Sequence, residues 1–99
     1  MAEMQTTQMH QWVRQLRDGD PKASNDLLLA VDTRLRALAS RMLSRYPKVA
    51  RLVDTSDIYQ SAAMRLLRAL ETVLPGSMRE FYGLAAEQMR RELLDMVRH

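Results

Sequence analysis

The chain has 99 residues, 46% hydrophobic and 27% charged, which suits one folded domain with a modest core and excludes both a disordered chain and a two-domain enzyme. There is no cysteine, hence no disulfide framework and no thiolate metal site, and the longest apolar run, Leu27 to Val31, is far short of the ~20 residues a membrane span needs. The formal charge is +3, and thirteen of the fifteen basic residues are arginine, whose planar fork binds carboxylate and phosphate at two points.

The opening residues, MAEMQTTQMH, have neither the charged start nor the apolar stretch of a secretory signal, so a cytoplasmic protein is expected. Few glycines, prolines and aromatics, set against abundant Leu, Ala, Met and Arg, favour helix over strand. The first helix is predicted from about Gln5 to Asp18, with Met9, Trp12, Val13 and Leu16 at i, i+3, i+4 and i+7. Gly19 to Pro21 breaks it. Asp20 then serves as N-cap and Pro21 as first residue of a second helix, a position proline favours. That helix should reach about Tyr46, where Pro47 stops it, and its apolar stripe runs through Leu27, Leu28, Val31, Leu35, Leu38, Ala39, Met42 and Tyr46.

A third helix should start after Asp54, whose side chain can cap the first turn, with Asp57 near the positive end of the dipole. Pro75 and Gly76 punctuate the chain again. The fourth helix starts at Ser77, where Ser77 and Glu80 fit a reciprocal capping box, and runs to the end. The expected fold is all-α, a compact bundle of about four helices around one core that takes in Trp12, Phe81 and the methionines at helical spacing.

At about 100° per residue, Ile58, Tyr59, Ala62, Ala63, Leu66, Ala69, Leu70 and Val73 fill one arc of the third helix. The opposite stripe carries Asp57, Gln60, Ser61, Met64, Leu67 and Arg68. Met64 and Leu67 are out of place on a solvent face; the mixture suits a partner helix, unless the core wraps far enough to cover them. Between Thr33 and Val53 lie six basic residues (Arg34, Arg36, Arg41, Arg45, Lys48, Arg51) and no acidic one, either a solvated face or a local positive field. Arg34, Arg41 and Arg45 share one flank of the second helix. Arg79, Arg90, Arg91 and Arg98 share about a third of the last one, diluted by Glu80 and Glu87.

Catalytic constellations are missing from the sequence. His10 and His99 sit near the chain ends, neither at ligand spacing with a second histidine or a carboxylate pair, and no glycine-rich phosphate loop or nucleophile motif occurs. Asp54 and Asp57 are accounted for by a helix start. No enzymatic activity, cofactor, metal or small-molecule substrate is expected.

The run Asp54-Thr55-Ser56-Asp57-Ile58-Tyr59-Gln60-Ser61-Ala62-Ala63-Met64-Arg65-Leu66-Leu67-Arg68 resembles the second conserved region of bacterial RNA polymerase sigma factors of the extracytoplasmic-function (ECF) class. The last helix, Phe81-Tyr82-Gly83-Leu84-Ala85-Ala86 continuing through Met89-Arg90-Arg91 and Leu93-Leu94-Asp95 to Arg98, is similar to a sigma-like subgroup abundant in planctomycetes. Leu16-Arg17-Asp18-Gly19-Asp20-Pro21-Lys22-Ala23 resembles the opening of the same domain. The three segments occur in the family's order and cover nearly the whole chain.

The resemblance implies that the outward stripe of the third helix (Asp57, Gln60, Ser61, Met64, Leu67, Arg68) docks on the coiled-coil clamp helices of the polymerase β′ subunit. It implies that residues from about Leu74 to Arg79, including Ser77, Met78 and Arg79, capture an unstacked base of the minus-ten promoter element, with Arg90, Arg91 and Arg98 facing the DNA backbone or non-template strand. Core RNA polymerase and promoter DNA are the implied partners, an anti-sigma factor a further one, and no membrane is involved. Two departures stand out. Ser61 replaces an acidic residue of the signature. The second domain with which family members read the minus-thirty-five element is not expected within residues 1–99, so the chain is either a fragment of a longer factor or a stand-alone polymerase-binding domain. The alternative function is a sigma-like helical interaction module that docks on polymerase or a regulator without reading DNA; a general basic DNA-binding helical protein is a further rival.

Overall fold

The computed structural model contains, among its described residues, the helices α1 (Thr6–Arg17), α2 (Pro21–Leu43), α3 (Pro47–Ala50), α4 (Thr55–Ala69) and α5 (Met78–Arg98), and no strand. The described residues are 5–98; Met1 to Met4 of the opening segment and His99 lie outside them.

Each boundary has a local cause. Gly19, at φ +86°, lets the chain leave α1 through paired bonds, its own amide to the Leu16 carbonyl at 3.1 Å and the Asp20 amide to Gln15 at 3.0 Å. These close a Schellman turn that a residue with a Cβ would strain. Asp20 immediately caps α2, accepting from the Lys22 amide at 3.0 Å. At its far end α2 closes at Leu43, short of the expected Tyr46. The Arg45 and Tyr46 amides drop to i−3 acceptors, Met42 and Leu43, and tighten the last turn ahead of Pro47.

Pro47 does more than stop a helix. It opens the single turn of α3, which inserts Val49 into the core, so the bundle has a short fifth element beyond the four expected long ones. Asp54 and Asp57 then cap α4 reciprocally, each carboxylate accepting from the other's backbone amide at 3.0–3.1 Å. At α5 the Ser77 hydroxyl accepts from the Glu80 amide at 3.1 Å. The Glu80 carboxylate reaches back to the Gly76 amide at 2.5 Å, one residue before the position an ideal box uses.

The core forms where the apolar stripes of four helices meet. Met9, Leu27, Leu35, Ile58, Leu66, Leu70, Phe81 and Leu93 are wholly buried, each contributing about 1.5–3 kcal/mol by leaving water. Trp12 is half-buried against this cluster, with Leu28, Leu38 and Met42. α2 packs against α1, α4 and α5. Two of its arginines mark the last two contacts. Arg36 lies 4.3 Å over the Tyr59 ring of α4, and Arg34 lies 4.4 Å over the Tyr82 ring of α5. Residues two apart diverge around a helix, so neighbouring arginines can serve two different neighbours. α4 and α5 are joined by Arg65, which bonds Glu92 at 2.7 Å and also Asp95.

Candidate functional site

The inner arc of α4 fits its predicted composition closely. Ile58, Tyr59, Ala62, Ala63, Leu66 and Leu70 are buried and Ala69 is half-buried. Val73 is the exception, 45% exposed, because α4 ends at Ala69 and its helical register does not extend that far. On the opposite face Asp57, Gln60 and Arg68 are exposed, Ser61 and Leu67 half-buried, and Met64 is 56% exposed. The core therefore does not wrap over this stripe. It spans about 16 Å of helix between Asp57 and Arg68, at ~1.5 Å per residue, and presents an acid, an amide, a thioether and a base in succession.

The chain between α4 and α5 is pinned at both ends by α1. Arg17 donates through Nε to the Leu70 carbonyl at 2.9 Å, and His10 Nε2 bonds the Pro75 carbonyl at 2.6 Å. Pro75 is buried, while Val73 and Leu74 are each 45% exposed. The result is a fixed strap with an apolar tip. Ser77 already uses its hydroxyl in capping, Met78 packs half-buried against the core, and Arg79 is exposed at the start of α5. Neither His10 nor Arg17 carried a signal in the sequence for this role. Their partners lie 65 and 53 residues away.

The arginines nominated on α5 do not form one cluster. Arg79 and Arg98 stand at its two ends, about 28 Å apart along the axis at ~1.5 Å per residue. Arg91 pairs with Glu87 at 2.8 Å, a surface bridge one turn along the helix. Arg90 instead lines a groove of about 260 Å³ between α2 and α5, together with Arg41 of α2, Arg45 of the turn that follows α2, and Glu87. Three guanidinium groups beside one carboxylate leave that groove net positive. Gly83 also lines it, and a Cβ added there would meet nothing within 4 Å. The sequence showed the basic flank of α2 but not that it faces Arg90.

Electrostatic perturbation lies in the scaffold, away from these surfaces. Tyr59 is pushed up to about 12, chiefly by burial, then by its hydrogen bond to Asp32 and the charge of that carboxylate. Asp32 in turn is held by Arg36 at 3.1 Å. The Arg65 guanidinium is shifted upward, first by its bond to Asp95; burial opposes the rise, and Glu92 adds to it. No group of three or more metal-ligating side chains occurs among the described residues.

Residues 6–99 match the family described as ECF sigma factor. The chain belongs to the ECF sigma factor family. No curated protein and no solved structure shows a significant match to it. Membership gives the chain a sigma-factor role in transcription initiation, within a family of non-enzymatic transcription factors whose members bind core RNA polymerase and promoter DNA. Among the described residues no helix is long and apolar enough to cross a membrane. For an ECF sigma factor the α4 stripe, the α4–α5 strap and the α2–α5 groove are three separate surfaces. The first is mixed in polarity, the second has an apolar tip and the third is basic.

Proposed function

We propose that this ECF sigma factor domain docks on the β′ clamp helices of core polymerase through Asp57, Gln60, Ser61, Met64, Leu67 and Arg68, and that it opens the minus-ten element in the cytoplasm, where polymerase works. The observation that carries the reading is the exposure of Met64 amid polar neighbours on the outer face of α4. A flexible thioether ringed by polar groups is the composition of a helix-binding surface. The strap from Leu74 to Arg79 holds the unstacked base against its apolar tip. Fixing that strap with His10 and Arg17 before DNA arrives lowers the ordering cost of binding.

Extruding a base costs a few kcal/mol, which stacking and backbone contacts must offset. Arg90, with Arg41 and Arg45, supplies the phosphate contacts, and Arg91 is secondary because Glu87 already engages it. Arg79 and Arg98 extend the basic track toward either end of α5. The rival module that docks without reading DNA is favoured by one observation, the dilution of the α5 arginines by Glu80 and Glu87. Permanganate reactivity of unpaired thymines at a cognate minus-ten element decides between the two readings. Core polymerase carries this domain in the assay, supplemented where needed by a minus-thirty-five-reading domain. Arg90→Ala should lower reactivity several-fold while Arg91→Ala stays close to wild type. Wild-type reactivity in the Arg90 variant would favour the docking-only module.

A further inference from the structure

At the C-terminal end of α5, remote from the strap, the last turn of α5 and the α2–α3 corner enclose an apolar groove of about 460 Å³. Its walls are Tyr46, Pro47, Val49, Leu52, Met96 and Val97. Leu52 is 85% exposed and Val97 58%, so the apolar surface is open to an incoming partner. Arg45 and Lys48 stand at its edge, and no acidic side chain lines it. Arg51 lies next in the chain to Leu52 and Arg98 next to Val97, both exposed. The nearest acidic residues in sequence are both engaged, Asp95 beside Met96 with Arg65 and Asp54 in capping α4.

We propose that this groove is a second docking site, taking an amphipathic helix of another protein whose apolar ridge fills the groove and whose acidic flanks meet Arg45 and Lys48. The chemistry selects this occupant over two others. A second copy of the chain placed symmetrically would bring the same basic corner against itself, with the like charges unrelieved. A lipid surface is entered by protruding apolar residues, whereas here the apolar side chains line a concavity that accepts a ridge. Its contrast with the other surfaces rests on the proposed function: the site shares Arg45 with the basic groove proposed for the promoter backbone, but its apolar walls belong to neither that groove nor the α4 surface proposed for polymerase, so Leu52 can be changed without touching either.

The test uses three synthetic helical peptides of about 18 residues with one shared leucine ridge at i, i+3, i+4 and i+7 and with Glu, Gln or Lys flanks. Binding to the isotope-labelled chain is followed by amide chemical shifts and fluorescence anisotropy. The Glu peptide should bind at least about tenfold more tightly than the Lys peptide, with Gln between, and added salt should narrow the gap. The shifted amides should centre on Val49, Leu52 and Val97. Leu52→Glu should weaken the Glu peptide by about tenfold or more, with thermal stability and clamp-helix binding unchanged. Lys48→Glu should invert the preference between the Glu and Lys peptides. Equal binding of the three peptides, saturation by none of them, shifts centred on the Arg41–Arg90 groove, or Leu52-dependent binding that appears only as self-association or only as attachment to phosphatidylserine vesicles would each overturn the proposal. Loss of clamp-helix binding in Leu52→Glu would instead assign the groove to the polymerase interface and overturn the second-site claim, leaving the polymerase reading intact.

Discussion

Replacing Arg65 by methionine isolates the bond that ties α4 to α5. Its guanidinium bridges Glu92 and Asp95 across the two helices, with side-chain exposures of 33%, 16% and 48% respectively. Partly exposed pairs of this kind are worth about 0.2–1 kcal/mol each after screening and side-chain entropy. Without the cation, Glu92 and Asp95 face each other one turn apart, which adds a few tenths of a kcal/mol of repulsion. Methionine keeps most of the apolar stem, so little packing is lost. The expected destabilisation is about 1–2 kcal/mol, or a fall in Tm of roughly 5–10 °C for a domain of this size. Urea unfolding of Arg65→Met, of Glu92→Gln with Asp95→Asn, and of the triple variant measures it as a cycle. The triple variant should recover much of the loss, and 1 M salt should shrink the difference between Arg65→Met and wild type. An Arg65→Met protein within about 0.3 kcal/mol of wild type would refute the view that this bridge couples the helices.

Tyr59 is buried with its folded pKa raised from 10.0 to about 12, so the native state holds its proton more tightly than the unfolded chain does. The associated stability is fully present below pH 10 and is lost as the pH rises toward 12, and solvent screening holds it to about 1 kcal/mol. Urea midpoints taken across this range should fall more steeply for wild type than for Tyr59→Phe; parallel curves would show that Tyr59 titrates normally. Gly83 lies inside α5 with open space where a Cβ would stand, so Gly83→Ala should stabilise the domain by about 0.5–1 kcal/mol. If the α2–α5 groove carries a nucleic-acid backbone, the same methyl group should lower permanganate reactivity at the minus-ten element despite the raised Tm. A variant as active as wild type would place the strand elsewhere.

Long-period signals made most of the scaffold legible from sequence. Asp20-Pro21 announced α2, Asp54 announced α4, and Ser77 with Glu80 announced α5, because caps are written in adjacent residues. α3 escaped because one turn is too short to show a period, and its proline reads equally as a stop or a start. Gln88, being polar, carries no core signal in the sequence, although its position between Ala85 and Met89 lies on the buried arc and it is 5% exposed. The outward stripe of α4 was visible as an anomaly of composition, a property of one helix. The strap and the basic groove were not visible. Each depends on two distant segments meeting, His10 with Pro75 and Arg41 with Arg90, and no local pattern encodes such a meeting.

The central claim is that the outer face of α4 is a polymerase-binding surface, and the double variant Gln60→Ala, Met64→Ala tests it most directly. Both residues are exposed, so folding stability should change by no more than about 0.5 kcal/mol. As interface anchors they would contribute about 1–2 kcal/mol each, so the Kd for the isolated β′ clamp helices, measured by titration calorimetry, should rise by at least about thirtyfold. An unchanged Kd with unchanged stability would contradict the claim, and an unfolded double variant would show that the stripe belongs to the core.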